Sequence, residues 1–203
     1  MPEAARRSRP KSKAKSKPKT KSKAKAKSKA AALAVDVDVR APQWKKALPG
    51  AAQLCRRAAR AAFLADSSKR RGSTGPAEAG IVLAGDAFVR RLNRDFRGQD
   101  KPTNVLAFPV AGGTIETAPP GAPRLLGDVV VAYGTAAREA GREGKPLADH
   151  LCHLVVHGML HLMGHDHHTK TAAAAMEKRE IDVLSGLGVG NPYIDDRPAR
   201  AGR

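Results

Sequence analysis

His157-Gly158-Met159-Leu160-His161-Leu162-Met163-Gly164-His165-Asp166-His167 places histidines at 157, 161 and 167, spaced four and then six. A helix turns ~100° per residue, so His157 and His161 lie one above the other on one face, ~40° apart. Two imidazoles on one helix face at this spacing suit a tetrahedral cation. Gly164 lets the chain leave the helix through a left-handed turn, and the returning segment brings His167 to the same ion. Three protein ligands with a fourth position open define a catalytic zinc site rather than a closed structural one.

The spacing matches the extended zinc-peptidase pattern H-E-x-x-H-x-x-G-x-x-H, so the stretch reads as a zincin-like metal-binding helix. The residue after the first histidine is Gly158, where a peptidase carries its general-base Glu. The metal site is kept and the peptidase base is missing, which points to a metal-dependent reaction other than ordinary peptide hydrolysis.

Outward from this stretch, the apolar pattern is that of one domain. Leu33 to Val39 alternates with period two and reads as a half-buried strand. Pro49-Gly50 opens a helix through about Asp66, with Leu54, Ala58, Ala61 and Ala62 inward. Gly80 to Ala84 is a short strand. Asp86 then caps a helix whose inner face is Val89, Leu92 and Phe96, ended by Gly98. Asn104 to Phe108 is a third strand, closed by Pro109, and Leu125 to Ala132 a fourth. Helices follow over about Thr135–Gly144, from near Pro146 to Met163, and from Thr169 to Leu187, the last with Met176, Ile181 and Leu184 inward. Residues 67–76 and 110–124 read as loops. Four strands and four or five helices in this order give an α+β domain over residues 31–195.

The chain has 203 residues and a formal charge of +18. Thirteen basic residues against one Glu put +12 of that charge in residues 1–30 and leave +6 elsewhere. A tail of Lys, Ser, Ala and Pro buries too little to offset its ordering entropy, so it is expected to be disordered. Residues 196–203 are expected to be a flexible C-terminal tail. The strict Lys alternation resembles an electrostatic arm for RNA more than an amphipathic presequence; such an arm binds through counterion release. No apolar run approaches the ~18 residues of a membrane span, and the N-terminus lacks a signal-peptide core. Two cysteines, Cys55 and Cys152, without framework spacing suit a reducing cytoplasm and core packing.

Several blocks now carry a resemblance. The histidine stretch is similar to the signature of the YbeY family of bacterial endoribonucleases. Leu92-Asn93-Arg94-Asp95-Phe96-Arg97-Gly98-Gln99-Asp100-Lys101-Pro102-Thr103-Asn104-Val105-Leu106-Ala107-Phe108-Pro109 resembles the family's LN…RG.DKPTNVLSFP segment, with Ala107 where the family usually has Ser. Leu126-Gly127-Asp128-Val129 and Asn191-Pro192-Tyr193 resemble further family blocks in the expected order.

The resemblance implies a central four-stranded mixed sheet flanked by helices, and one Zn²⁺ ion held by His157, His161 and His167. It implies a single-strand-specific, zinc-dependent endoribonuclease of late small-subunit (16S) rRNA maturation and ribosome quality control. Cytoplasmic location follows, with the small subunit, a ribosomal protein and a GTPase as partners. The family's functionally important arginine maps to Arg97, whose planar fork of donors suits a phosphate. Two other readings stand beside this one: a non-catalytic, zinc-stabilised ribosome-assembly factor, and a zinc hydrolase of another class.

Around the site, Asp166 reads either as a general base or as a partner that orients an imidazole. His165 and His168 are expected to be exposed. His150 and His153 either line the cleft or lie on a plain helix surface. Lys101, Thr103 and Asn104 are expected to shape the turn into the third strand. Asp128 either bonds a loop or lines the cleft.

Overall fold

The computed structural model describes residues 32–67, 76–110 and 122–194. The Lys-rich tail, residues 196–203 and most of the two expected loops lie outside these. The element order is β1(Leu33–Val39), α1(Pro42–Ala47), α2(Ala51–Ser67), β2(Ala77–Ala84), α3(Asp86–Arg97), β3(Val105–Pro109), β4(Arg124–Ala132), α4(Tyr133–Glu143), α5(Leu147–Leu162) and α6(Lys170–Gly186). The strands form one mixed sheet in the order β1-β2-β4-β3. β1, β2 and β4 run parallel, and β3 pairs antiparallel with β4 at the edge. The expected α+β class, with a four-stranded mixed sheet and flanking helices, is what the chain adopts.

Period-two alternation in β1 buries Leu33 and Val35 and exposes Asp36 and Asp38. The main core lies between the sheet and the helices α2 and α5, around Phe63, Ile81, Leu83, Val129, Val131, Leu151 and Met159. A smaller core under α3 covers the other face, around Val89, Leu106 and Val130. Cys55 and Cys152 are free thiols of the main core. Burial pushes their pKa values up to about 12 and about 11.

Helix α5 can lie close against β4 because Gly158 has no side chain. A Cβ there would stand 2.6 Å from Val129 Cγ1 and 2.9 Å from Cγ2. The glycine that replaces the peptidase Glu is therefore also a packing requirement.

The structure corrects the sequence reading at several points. Six helices occur among the described residues, where the sequence pattern marks four or five; α1 is the addition. Pro42 starts it, and its Trp44 is fully buried, donating Nε1–H to Ala84 O at 3.2 Å and meeting Tyr133 edge-on at 5.2 Å. β2 starts at Ala77, earlier than expected, because Ala77 pairs with Leu33 on one side and Arg124 on the other.

Asp86 does not cap α3, whose N-cap is Gly85. Its carboxylate instead accepts from Thr135 N and Arg138 at 2.9 Å each, satisfying a free N–H in the first turn of α4. Burial raises the Asp86 pKa, but these donors outweigh it and hold the carboxyl below its ordinary value. On α3, Val89 is buried, but Phe96 is 69% exposed and Asn93 is buried instead. Asn93 Nδ2 donates to Lys101 O at 2.8 Å, tying the helix to the following turn. The Phe96 ring rests edge-on against Phe108 of the edge strand β3 and is otherwise left in water.

Candidate metal centre

Positions 150, 153, 157 and 161 fall at three- and four-residue steps, so four imidazoles run down one stripe of α5. After Met163 the chain turns at Gly164, whose φ of 85° is left-handed. The turn brings His167 back over the end of the helix. One ring nitrogen from each of His157, His161 and His167 then lies within 4.8 Å of the other two. The structure thus brings together the three expected ligands.

The hydrogen-bond partners set the tautomers. His157 Nδ1–H donates to Glu180 Oε1 at 2.8 Å, and His161 Nδ1–H donates to the His165 carbonyl at 2.9 Å. Both Nε2 atoms therefore present lone pairs, and they face each other at 3.1 Å. Two bare nitrogens this close repel unless a cation lies beside them. Tetrahedral zinc with bonds of ~2.05 Å would hold its ligand nitrogens ~3.3 Å apart, so the donor set fits such an ion. His161 is kept neutral, as a ligand must be: burial, then the neighbouring His157, lowers its pKa to about 4.

Glu180 was not singled out in the sequence. It is a carboxylate on the apolar stripe of α6, 1% exposed between Met176 and Leu184. Besides His157 it accepts from His153 Nε2 at 3.0 Å and from Tyr193 Oη at 2.5 Å. Burial alone would raise its pKa; the three donors outweigh that and hold it at about 2. Burial and the adjacent Glu180 push the Tyr193 hydroxyl up. A Glu at helical spacing among inward apolar residues was the available signal.

The remaining histidines have other partners. His150 Nε2 meets Glu139 Oε2 at 2.9 Å, and Asn104 Nδ2 donates to the same oxygen at 2.9 Å. His150 and His153 line a separate depression beside Lys145 and Pro192, not the metal cleft. His165, expected to be exposed, is half-buried, and its Nε2 meets Asp66 Oδ1 at 2.8 Å. His168 is exposed. Asp166 Oδ1 accepts the His168 N–H at 3.1 Å, at the rim of the cleft. Asp128 lies on the opposite face of the sheet from α5, in a depression with Asp36 and Glu78. Asn104 shapes the turn, its Oδ1 accepting from Val105 N at 2.7 Å.

The cleft above the three histidines has a volume of ≈ 460 Å³. Val105, Ala107 and Pro109 of β3 form one wall, and Arg97, the last residue of α3, stands at its edge. Arg97 is exposed, so its guanidinium is available to a ligand.

An α+β domain that gathers three imidazoles in an open cleft beside an arginine is a candidate metalloenzyme. The family model described as Endoribonuclease YbeY matches residues 44–188. The chain belongs to that endoribonuclease family. Endoribonuclease YbeY of Paramagnetospirillum magneticum is 50% identical over 157 residues, covering 76% of this chain and 92% of that protein. The protein of the same name from a strain of Rhodopseudomonas palustris is 52% identical over 120 residues, 59% of this chain and 62% of that protein. The solution structure of TM1509 from Thermotoga maritima is 20% identical with a TM-score of 0.45, covering 84% of this chain and 100% of that one. No helix among the described residues is long and apolar enough to cross a membrane.

Proposed function

We propose that this protein is a single-strand-specific, zinc-dependent endoribonuclease that acts in the cytoplasm on 16S rRNA late in small-subunit maturation. The observation that carries the proposal is the pair of bare Nε2 atoms 3.1 Å apart, with His167 beside them, in the cleft that Arg97 also lines. His157, His161 and His167 would hold the ion. When bound there, zinc supplies a water of pKa about 7 and polarises a phosphoryl oxygen.

The chain's own residues do the rest. Arg97 binds the scissile phosphate through its planar fork and offsets charge that grows on the equatorial oxygens. Glu180 and the His165 carbonyl keep His157 and His161 protonated at Nδ1, so each presents Nε2. Apolar Val105, Ala107 and Pro109 shield one side of the site from water. The attacking oxygen belongs either to water or to the ribose 2′-hydroxyl. A ribosomal protein and a GTPase would deliver the enzyme to the small subunit, with the Lys-rich residues 1–30 holding RNA electrostatically.

Metal analysis and RNA cleavage on wild type, Arg97→Ala and His161→Ala test this. Arg97→Ala is expected to keep its zinc and lose cleavage; His161→Ala is expected to lose both. Cleavage at wild-type rates by His161→Ala refutes the metal role. RNA binding without cleavage by zinc-loaded wild type favours an assembly factor instead. Peptide hydrolysis by the same protein favours another class of hydrolase.

A further inference from the structure

We infer that the exposed ring of Phe96 is a stacking platform for an unpaired base of the RNA whose phosphate Arg97 holds. The inference rests on the RNA reading above and adds to it a binding site for the nucleobase. Of the four phenylalanines, Phe63 is buried at 1% exposure, and Phe88 and Phe108 are half-buried. Phe96 is 69% exposed. This large aromatic ring is left mostly in water at the end of an otherwise amphipathic helix.

The ring is nevertheless held. It meets Phe108 edge to face, with centroids 5.2 Å apart and planes at 69°. A ring already fixed by a neighbour loses little freedom when a ligand stacks on it. Phe108 is a β3 residue between Ala107 and Pro109, and both of those line the metal cleft. Side chains alternate along a strand, so Phe108 and Phe96 lie on one side of the β3 edge and the cleft on the other. Arg97 follows Phe96 directly and reaches the cleft side. A nucleotide chain crossing this edge places a phosphate at Arg97 and a neighbouring base at Phe96.

The chemistry selects single strands. Every base has a π face, so stacking on Phe tolerates any sequence. A base inside a duplex already has both faces stacked and offers none to the ring. An exposed Phe would equally suit a protein partner; its adjacency to Arg97 and the cleft favours RNA.

Binding of a cleavage-resistant oligoadenylate and of a blunt RNA duplex to zinc-loaded Phe96→Ala, Phe96→Leu and Phe96→Trp proteins tests the platform. Phe96→Ala is expected to bind the single strand about 5- to 150-fold more weakly, the range that base–aromatic stacking spans, with duplex affinity unchanged. Phe96→Leu keeps an apolar contact to Phe108 but no π face, and is expected to be weakened as well. Trp44 is the sole tryptophan and is fully buried, so Phe96→Trp adds a surface indole whose emission the single strand is expected to quench.

Wild-type single-strand affinity in Phe96→Ala or Phe96→Leu, equal loss for the duplex, or unmoved indole emission overturns the platform. If wild type cleaves RNA while Phe96→Ala binds normally, only the platform fails and the nuclease reading stands. If wild type neither binds nor cleaves RNA, both fall. A protein partner lost by Phe96→Ala, with RNA binding intact, reassigns the ring to a protein interface.

Discussion

Replacing Glu180 with Ala removes a carboxylate that joins α5, α6 and Tyr193. His153 Nε2, His157 Nδ1 and Tyr193 Oη all lose their acceptor. Two losses are expected, and they are separable. The first is stability. A carboxyl held at about 2 rather than 4.5 is stabilised by roughly 3 kcal/mol in its ionised form. That shift already includes the cost of burying the charge, so a net loss of ~2–3 kcal/mol is expected at neutral pH. The second is metal affinity. His157 freed at Nδ1 can rotate or change tautomer, and loss of such a partner weakens metal binding ~10–100-fold. Glu180→Gln separates the two. Its amide oxygen still accepts from His157, while Tyr193 can turn its hydroxyl to accept from the new amide N–H. It should therefore fold nearly as well as wild type yet bind metal between wild type and Ala. Competition against a chromophoric chelator measures the affinity, and melts in excess chelator measure the metal-free fold. A folded Glu180→Ala protein with wild-type zinc affinity would refute the claim that Glu180 orients the ligand.

Two further outcomes are expected. Gly158→Ala puts a Cβ 2.6 Å from Val129 Cγ1 and should destabilise by ~1–3 kcal/mol, the usual cost of overpacking. Val129→Ala in the same chain should recover part of that loss in urea denaturation; simple additivity would disprove the clash. Asp86→Ala should cost ~1 kcal/mol at neutral pH, as loss of a helix cap does. Since the Asp86 pKa is lowered, its contribution is present above the ordinary value of 3.8 and is lost as pH falls through the folded value. The stability gap between wild type and variant should therefore close on acidification below 3.8; a gap constant across that window would assign the loss to packing.

What the sequence disclosed was local. The strands showed in period-two alternation, and the candidate ligand pair His157 and His161 in the i, i+4 step on an apolar helix, because both are properties of neighbouring residues. Gly164 marked the turn that returns His167 for the same reason. Features made by distant residues stayed hidden. Glu180 looked like a charge on a mixed helix, and only the packing of α6 on α5 puts it under His157. Asp86 stood where a cap for its own helix belongs, while the donor it satisfies comes from Thr135, across the fold. Helix α1 is short and is fixed by Trp44 reaching Ala84 and Tyr133, neither of which is near in sequence. Phe96 fits the inward stripe of α3; its exposure depends on how α3 sits on β3, which no helix periodicity encodes.

The anchoring of Glu180 by Tyr193 bears on how the site is made during vectorial synthesis. The last histidine of the trio, His167, leaves the ribosome before Glu180, and Tyr193 emerges later still. A nascent chain thus displays three imidazoles before it owns the carboxylate that fixes the first of them. Metal capture that depends on Glu180 would then wait for the final helix to dock, and loading would report that translation has passed that helix.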